Sequence, residues 1–205
     1  MDKQVEILAR QTRYRGFFQL EEYQVRHSLF AGGWSDTIVR ERVERLRAAA
    51  VLLYDPLLDK VVLIEQFRIG ALEDPDGAWL MEVVGGLVEE GESPEDVAIR
   101  EASEEAGCKV VELLPICQFL VSPGTASEHV SLYCGRVDAS SAGGIFGLDH
   151  EGEDIRAHVL SVDEALAELY GRINSSIPII AVQWLALHRE DLKRMWVGGA
   201  EHGVI

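Results

Sequence analysis

Three glutamates, Glu101, Glu104 and Glu105, are spaced so that a helix would place their side chains on one face. At 100° per residue they fall within an arc of about 100°. Like charges three and four residues apart cost an isolated helix roughly a few tenths of a kcal/mol per pair. A hard cation such as Mg²⁺, which prefers oxygen ligands, would offset that repulsion. The spacing therefore favours a metal site that binds phosphate oxygens and supports hydrolysis.

The helix that carries these glutamates has clear ends in the sequence. Ser93 is a favourable N-cap, Pro94 suits the first helical position, and Gly107 is a typical stop signal. These signals predict a helix over residues 94–106. Taken alone, its paired glutamates could equally form a solvated acidic face. The opposite face should pack against the rest of the protein and carries Ala98, Ile99, Ala102 and Ala106.

The complete segment resembles the Nudix box, Gly-x5-Glu-x7-Arg-Glu-U-x-Glu-Glu-x-Gly-U, in which U is a bulky aliphatic residue. Both aliphatic positions depart from the pattern, because Ala102 and Cys108 are small; this affects local packing more than chemistry. The matched glycine and polar positions are Gly86, Glu92, Arg100, Glu101, Glu104, Glu105 and Gly107.

The resemblance implies a Mg²⁺-dependent hydrolase of nucleoside diphosphates linked to another group, with Mn²⁺ as a possible substitute. It implies that Glu101 and Glu105 are metal ligands, that the Gly85 carbonyl completes the metal shell, and that Glu104 assists catalysis by supporting them or sharing a metal. The same resemblance implies a structural ion pair between Glu92 and Arg100, with Gly86 and Gly107 as fixed motif positions.

A second acidic segment, residues 150–156, follows a glycine-rich stretch and should form a mobile loop before a strand. By resemblance, Glu151 is the candidate general base that deprotonates the attacking water, and Glu153 is a further metal ligand. An ordinary acidic surface loop is the competing interpretation for both residues. His129 and His150 are expected to be bystanders.

The flanks of the box favour one substrate class. Pro123 lies 15 residues after Cys108, where a proline resembles the ADP-ribose pyrophosphatase subfamily, and the segments 63–68 and 79–82 also look like that subfamily. An ordinary turn at Pro123, surface ion pairs at the arginines and a core role for Phe17 remain open alternatives. The candidate substrate-binding residues are Phe17, Arg40, Arg68, Glu82, Ser122, Gly124 and Glu128.

The composition of the chain indicates which classes of binding partner it disfavours. The chain has 19 Lys and Arg against 35 Asp and Glu, a formal charge of −16 that disfavours nucleic acid as a partner. No signal peptide or membrane span is recognisable, and three scattered cysteines suit a reducing cytoplasm, where we expect them to be small buried hydrophobes. The expected partner is a small nucleotide sugar.

The expected fold is α+β, a Nudix-type α/β/α sandwich with a mixed central sheet and a small N-terminal antiparallel β extension. The aromatic stretch 1–47 should form that extension and act as a dimerisation element, so a homodimer is expected; residues 48–205 should form the hydrolase domain. Strands are predicted over 48–54, 60–67, 79–84, 109–121, 130–137 and 155–160, and further helices over 162–170 and 179–196.

The predicted reaction is the hydrolysis of ADP-ribose to AMP and ribose 5-phosphate. Two alternatives remain open at the level of the sequence. One is a Nudix hydrolase for another nucleotide sugar, such as ADP-glucose or GDP-mannose. The other is a nucleotide-binding regulatory module that does not turn over its ligand.

Overall fold

The computed structural model describes residues 3–148, 150 and 152–197, and these residues fall into two units. One unit contains residues 3–47 and 119–129, and the other contains the described residues of 48–118 and 130–197. The segment 119–129 thus belongs with the N-terminal residues rather than with its neighbours in the chain.

The first unit is a three-stranded antiparallel sheet with its second strand in the middle. The segment 119–129 attaches to the third strand, since the Val43 N–H donates to the Thr125 carbonyl (2.9 Å) and the Ser127 N–H donates to the Val43 carbonyl (3.0 Å). The predicted antiparallel extension is therefore confirmed. Its strands are β1 (Val5–Arg15), β2 (Gln19–His27) and β3 (Ile38–Glu44).

The second unit contains a mixed sheet of eight strands: β4 (Ala48–Asp55), β5 (Lys60–Phe67), β6 (Trp79–Glu82), β7 (Val84–Leu87), β8 (Glu112–Leu120), β9 (His129–Arg136), β10 (Gly144–Phe146) and β11 (Ile155–Ser161). Their order in the sheet is β10-β11-β5-β4-β9-β8, with β6 paired to β5 and β7 paired to β4. β4 runs parallel to β9 and antiparallel to β5 and β7.

Helices cover both faces of this sheet, which confirms the predicted α/β/α arrangement. Val51 and Leu53 of β4 join the core under the first helix, whereas Tyr54 points to the other face and contacts the Trp196 ring of the third helix. Among the described residues, no helix is both long and apolar enough to cross a membrane. The helices are α1 (Pro94–Ala106), α2 (Val162–Ala167) and α3 (Ser176–Trp196), with a 3₁₀ turn at Ile69–Ala71.

Several predicted boundaries were wrong. The strand expected over 79–84 is two short strands that separate at Val83, and the helix expected over 162–170 ends at Ala167, ahead of Tyr170 with its positive φ of 66°. α3 starts three residues earlier than predicted, because Pro178 is tolerated in a first helical turn. Strand β10 was missed. Cys117 is exposed, against the prediction that all three cysteines are buried.

The turn between β4 and β5 depends on one buried carboxylate. Asp55 is only 3% exposed, and its two oxygens accept hydrogen bonds from the backbone N–H groups of Leu57 (2.9 Å), Leu58 (3.0 Å) and Ala139 (2.8 Å). A single side chain therefore closes the turn and ties it to the segment after β9.

We expect Asp55→Ala to lower the free energy of unfolding by about 3 kcal/mol, because three N–H groups lose their acceptor in a buried setting. Urea unfolding followed by circular dichroism measures the loss. Asp76→Ala, at an exposed aspartate, is the matched control and should stay within about 0.5 kcal/mol of the wild type. Equal stabilities of the two variants would contradict this account of the turn.

Candidate active site

Helix α1 presents its glutamates much as the sequence predicts. Ser93 caps it by accepting a hydrogen bond from the Asp96 N–H (3.1 Å), and Gly107 ends it in the left-handed conformation with a φ of 62°. Ala98, Ala102 and Ala106 are fully buried against the sheet, which lets α1 lie close to it. Ile99 departs from the prediction, since its side chain is exposed.

Glu105 is the most deeply buried of the helix glutamates, with only 2% of the residue exposed. Its Oε2 accepts a hydrogen bond from the Gly85 N–H at 3.0 Å. Burial raises the pKa of Glu105 to about 8; the nearby charges of Glu101 and Glu153 raise it too, while the Gly85 N–H and Arg68 act in the opposite direction. The site therefore holds a carboxyl group whose ionised form needs a positive partner.

Glu101 lies directly over Gly86. A Cβ atom built on Gly86 would lie 1.9 Å from the Glu101 Oε1, so any other residue there would displace the carboxylate. Burial raises the pKa of Glu101, and the charges of Glu104 and Glu153 add to that effect against the opposing charge of Arg100. The fixed glycine at the start of the motif is thus explained by the space that Glu101 needs.

Arg100 connects the carboxylates around α1. The predicted ion pair with Glu92 is present, with 3.3 Å between the Arg100 Nε and the Glu92 Oε1. Its Nη1 also donates to Glu101 and to Glu104, each at 2.9 Å, contacts that sequence reasoning did not foresee. Burial alone would lower the pKa of Arg100, but these carboxylates raise it above its ordinary value. Arg100 therefore stays charged and neutralises part of the cluster.

The loop after β10 brings a further carboxylate to the group. Glu153 accepts a hydrogen bond from the Leu148 N–H at 3.1 Å through its Oε2, and its charge raises the pKa of both Glu101 and Glu105. Glu151, the predicted general base, lies outside the described residues. The neighbouring His150 lies within the described residues, and the sequence predicts no catalytic role for it.

The donors of this group fit a hard divalent cation. All of them are oxygen atoms, and two of the carboxyl groups, those of Glu101 and Glu105, have pKa values raised by burial and by neighbouring negative charges. Arg100 is bound to only part of the cluster. Within residues 3–148, 150 and 152–197, no three acidic, His or Cys side chains already converge in a ready-made metal cage. The Gly85 N–H engages one oxygen of Glu105 and Arg100 engages one oxygen of Glu101, so each carboxylate has a second oxygen to offer a cation.

The predicted substrate residues fall into both units. In the second unit, Arg68 at the end of β5 donates through its Nε to Glu82 of β6 (2.7 Å), and its charge lowers the pKa of Glu105. In the first unit, Phe17 is 89% exposed with its ring edge-on to Phe18, and the Arg40 side chain donates to the Val39 carbonyl (2.8 Å).

The other predicted contacts lie in the segment 119–129 of the first unit. Ser122 hydrogen-bonds the Thr125 hydroxyl (3.1 Å), Gly124 is exposed, and Glu128 pairs with Arg45 (3.2 Å). Glu128 is thus already engaged in an ion pair. Ser122 and Gly124 form part of an exposed turn, in which the Ser122 carbonyl accepts hydrogen bonds from the Thr125 and Ala126 N–H groups.

Two features of the site escaped sequence reasoning. The Gly85 N–H donates to Glu105, a contact that the resemblance did not imply, and the role of the Gly85 carbonyl as a metal ligand stays a prediction. Phe146 packs on Gly107 at the end of α1, and the only sequence signal for it is a lone aromatic residue in a glycine-rich stretch. Both contacts join segments that are distant along the chain.

Comparisons with known proteins agree with this geometry. The NUDIX domain model matches residues 44–185. An ADP-ribose pyrophosphatase of Escherichia coli (strain K12) is 51% identical over 193 residues, covering 94% of this chain and 92% of the relative. A GDP-mannose pyrophosphatase of Cronobacter sakazakii is 34% identical over 72% of this chain and 78% of its own length.

A solved structure described as an ADP compounds hydrolase superposes with a TM-score of 0.70 at 21% identity, covering 94% of this chain and 96% of that one. At that identity the match supports the fold alone. The matched domain model, the identity to curated relatives and the carboxylates gathered around α1 all agree: this chain belongs to the Nudix family of pyrophosphohydrolases, and its sequence is similar to the ADP-ribose pyrophosphatases of that family.

Proposed function

We propose that this chain hydrolyses ADP-ribose to AMP and ribose 5-phosphate with the help of Mg²⁺. The observation that carries the proposal is the 51% identity to an ADP-ribose pyrophosphatase along nearly the whole chain, which includes the box and both of its flanks. The buried glutamates of α1 support the same reaction, because they need a cation when ionised and a diphosphate supplies the complementary oxygens.

Each residue of the site has a place in this proposal. Glu101, Glu105 and Glu153, with a backbone oxygen of Gly85, would hold the cation, and Glu104 would support them. A divalent cation held there neutralises charge on the diphosphate and makes water more acidic. Arg100 keeps Glu101 and Glu104 in place through two hydrogen bonds that its Nη1 donates.

The bond changes are those of a hydrolysis. A water oxygen forms a bond to one phosphorus, the bridging phosphorus–oxygen bond breaks, and the departing phosphate leaves as ribose 5-phosphate or AMP. Glu151 is our candidate to accept the proton of the attacking water. Arg68 would bind the diphosphate, Glu82, Ser122, Gly124 and Glu128 would contact the rest of the substrate, and Arg40 and Phe17 would contribute to the ribose and adenine ends.

We also propose that the protein is a homodimer that acts in the cytoplasm. The first unit exposes Val5, Ile7 and Tyr14 on β1 and Phe17 and Phe30 in its connecting segments, apolar side chains of the kind that a second subunit covers. The free cysteines of the described residues, one of them exposed, suit a reducing compartment.

A second candidate substrate is another nucleotide sugar. A GDP-mannose pyrophosphatase is similar to much of this chain, at lower identity than the ADP-ribose enzyme, and the carboxylates of α1 would act on either diphosphate. The test must therefore compare substrates rather than detect turnover of one.

The purified protein should release AMP from ADP-ribose faster than it releases nucleoside monophosphate from ADP-glucose or GDP-mannose, and a chelator should stop the reaction. Mg²⁺ should restore it, and Mn²⁺ serves as the comparison ion.

In Glu101→Gln, Glu105→Gln and Glu151→Gln we expect kcat to fall by about 100-fold or more with folding intact. Full activity of Glu101→Gln and Glu105→Gln in saturating Mg²⁺ would overturn the metal assignment. Faster hydrolysis of GDP-mannose than of ADP-ribose would make GDP-mannose the proposed substrate.

Glu105 should make the metal-free protein sensitive to pH. Its pKa is about 8 in the fold and near 4.5 ordinarily, so the fold favours the protonated form. The stability it contributes is present below about pH 4.5 and is lost as the pH rises towards about 8. In chelator, wild-type stability should therefore fall over this range relative to that of Glu105→Gln. Urea unfolding at about pH 5 and about pH 8 tests this, and parallel curves would contradict it.

The dimer proposal makes its own prediction. A charge at Ile7 would be costly to bury against a second subunit, so Ile7→Glu should shift the protein from dimer to monomer in sedimentation velocity. Leu57→Glu is the matched control, because Leu57 is 77% exposed in the second unit, and it should leave the sedimentation coefficient unchanged. A monomeric wild type, or identical behaviour of both variants, would exclude this role of the N-terminal sheet.

A further inference from the structure

Phe146, the last residue of β10, lies against the end of helix α1. A Cβ atom built on Gly107 would lie 2.6 Å from the Phe146 Cε1 and 2.8 Å from its Cζ, so the ring rests directly on the glycine. Gly107 also needs its positive φ of 62° to end the helix. The same glycine thus serves the helix cap and the aromatic contact.

The residues after Phe146 continue along the same helix end. The Gly147 N–H donates to the carbonyl oxygen of Glu104 at 3.4 Å, and the Leu148 N–H donates to the Glu153 carboxylate at 3.1 Å. A Cβ atom on Gly147 would lie 2.8 Å from the Glu153 Cβ. Phe146 therefore precedes a short path of contacts that runs from the helix end to Glu153.

This strand is short and lies at the edge of the sheet. β10 is three residues long and pairs with β11, and Gly143, Gly144 and Gly147, in the strand and beside it, all have positive φ values. Glycines in such conformations give the backbone little stiffness of their own. A bulky ring packed beside the core is the element best able to fix the segment relative to α1.

We propose that Phe146 is a positioning residue for the hydrolysis: by packing on Gly107 it fixes the segment that places Glu153 beside Glu101 and Glu105. This inference rests on the proposed function, because Glu153 matters to catalysis only if these carboxylates act on a diphosphate. Phe146 acts through Glu153 and is not itself a catalytic residue.

The first test compares Phe146→Ala, Phe146→Leu and the control Ile145→Ala in the metal-free protein. Ile145 neighbours Phe146 in β10 but is 62% exposed. We expect the amides of Gly147 and Leu148 to exchange with solvent about tenfold faster or more in Phe146→Ala, and at nearly wild-type rates in the other two variants. This readout needs neither metal nor turnover, so it decides the contact even if ADP-ribose proves not to be the substrate.

The second test measures kcat, KM and the Mg²⁺ concentration for half-maximal rate in the same variants, at a temperature where urea curves show all of them folded. We expect Phe146→Ala to lower kcat by about tenfold to 100-fold and to raise the Mg²⁺ requirement, because a misplacement near 1 Å carries that cost. KM should change by less than about threefold, and Phe146→Leu should recover most of kcat.

A double-mutant cycle with Gly107→Ala separates this contact from general destabilisation. If the ring rests on Gly107, the loss of kcat caused by Gly107→Ala should be clearly smaller in the Phe146→Ala background than in the wild type. Additive effects, or a Phe146→Ala variant whose amide exchange and kcat match those of Ile145→Ala, would overturn the proposal.

Discussion

The concentration of negative charge at the end of α1 is the constraint on which the rest of the site depends. Glu105 is almost fully buried, Glu101 and Glu153 lie near enough to raise its pKa, and the C-terminal turn of a helix disfavours anions. Burial, neighbouring charge and the helix dipole therefore act in the same direction. The Gly85 N–H and Arg68 oppose them only in part, so a ligand that binds the ionised form stabilises the folded state.

The local part of this arrangement could be predicted because all of its residues lie in one helix or at its ends. Ser93, Pro94 and Gly107 determine the ends of α1, and the period of the helix puts the glutamates on one side of it. Ile99 shows where such reasoning stops. A helical wheel gives the direction of a side chain but not the extent of the surface it faces, and the sheet under α1 covers the alanines without reaching Ile99.

The long-range part could not be predicted from periodicity. Gly86 was noted only because it matches a motif, and its reason emerges from the Glu101 carboxylate that lies over it. A strand as short as β10 shows no alternation of apolar and polar residues, and the glycines in it and beside it predict a loop. The contact between Phe146 and Gly107 depends on which strands are neighbours in the sheet, a property of the whole fold.

Recognition of the substrate must come from side chains other than the glutamates of α1 and Glu153, since those would serve any diphosphate. Arg68, which we propose as a diphosphate contact, illustrates how a residue could do so while already paired. Its Nε donates to Glu82, and no hydrogen bond within the described part of the chain engages its two terminal nitrogens. A guanidinium presents donors along two edges, so the pairing with Glu82 orients the group and leaves one edge for a phosphate. The ion pair is thereby compatible with the proposed phosphate binding, because it orients the guanidinium through Nε alone.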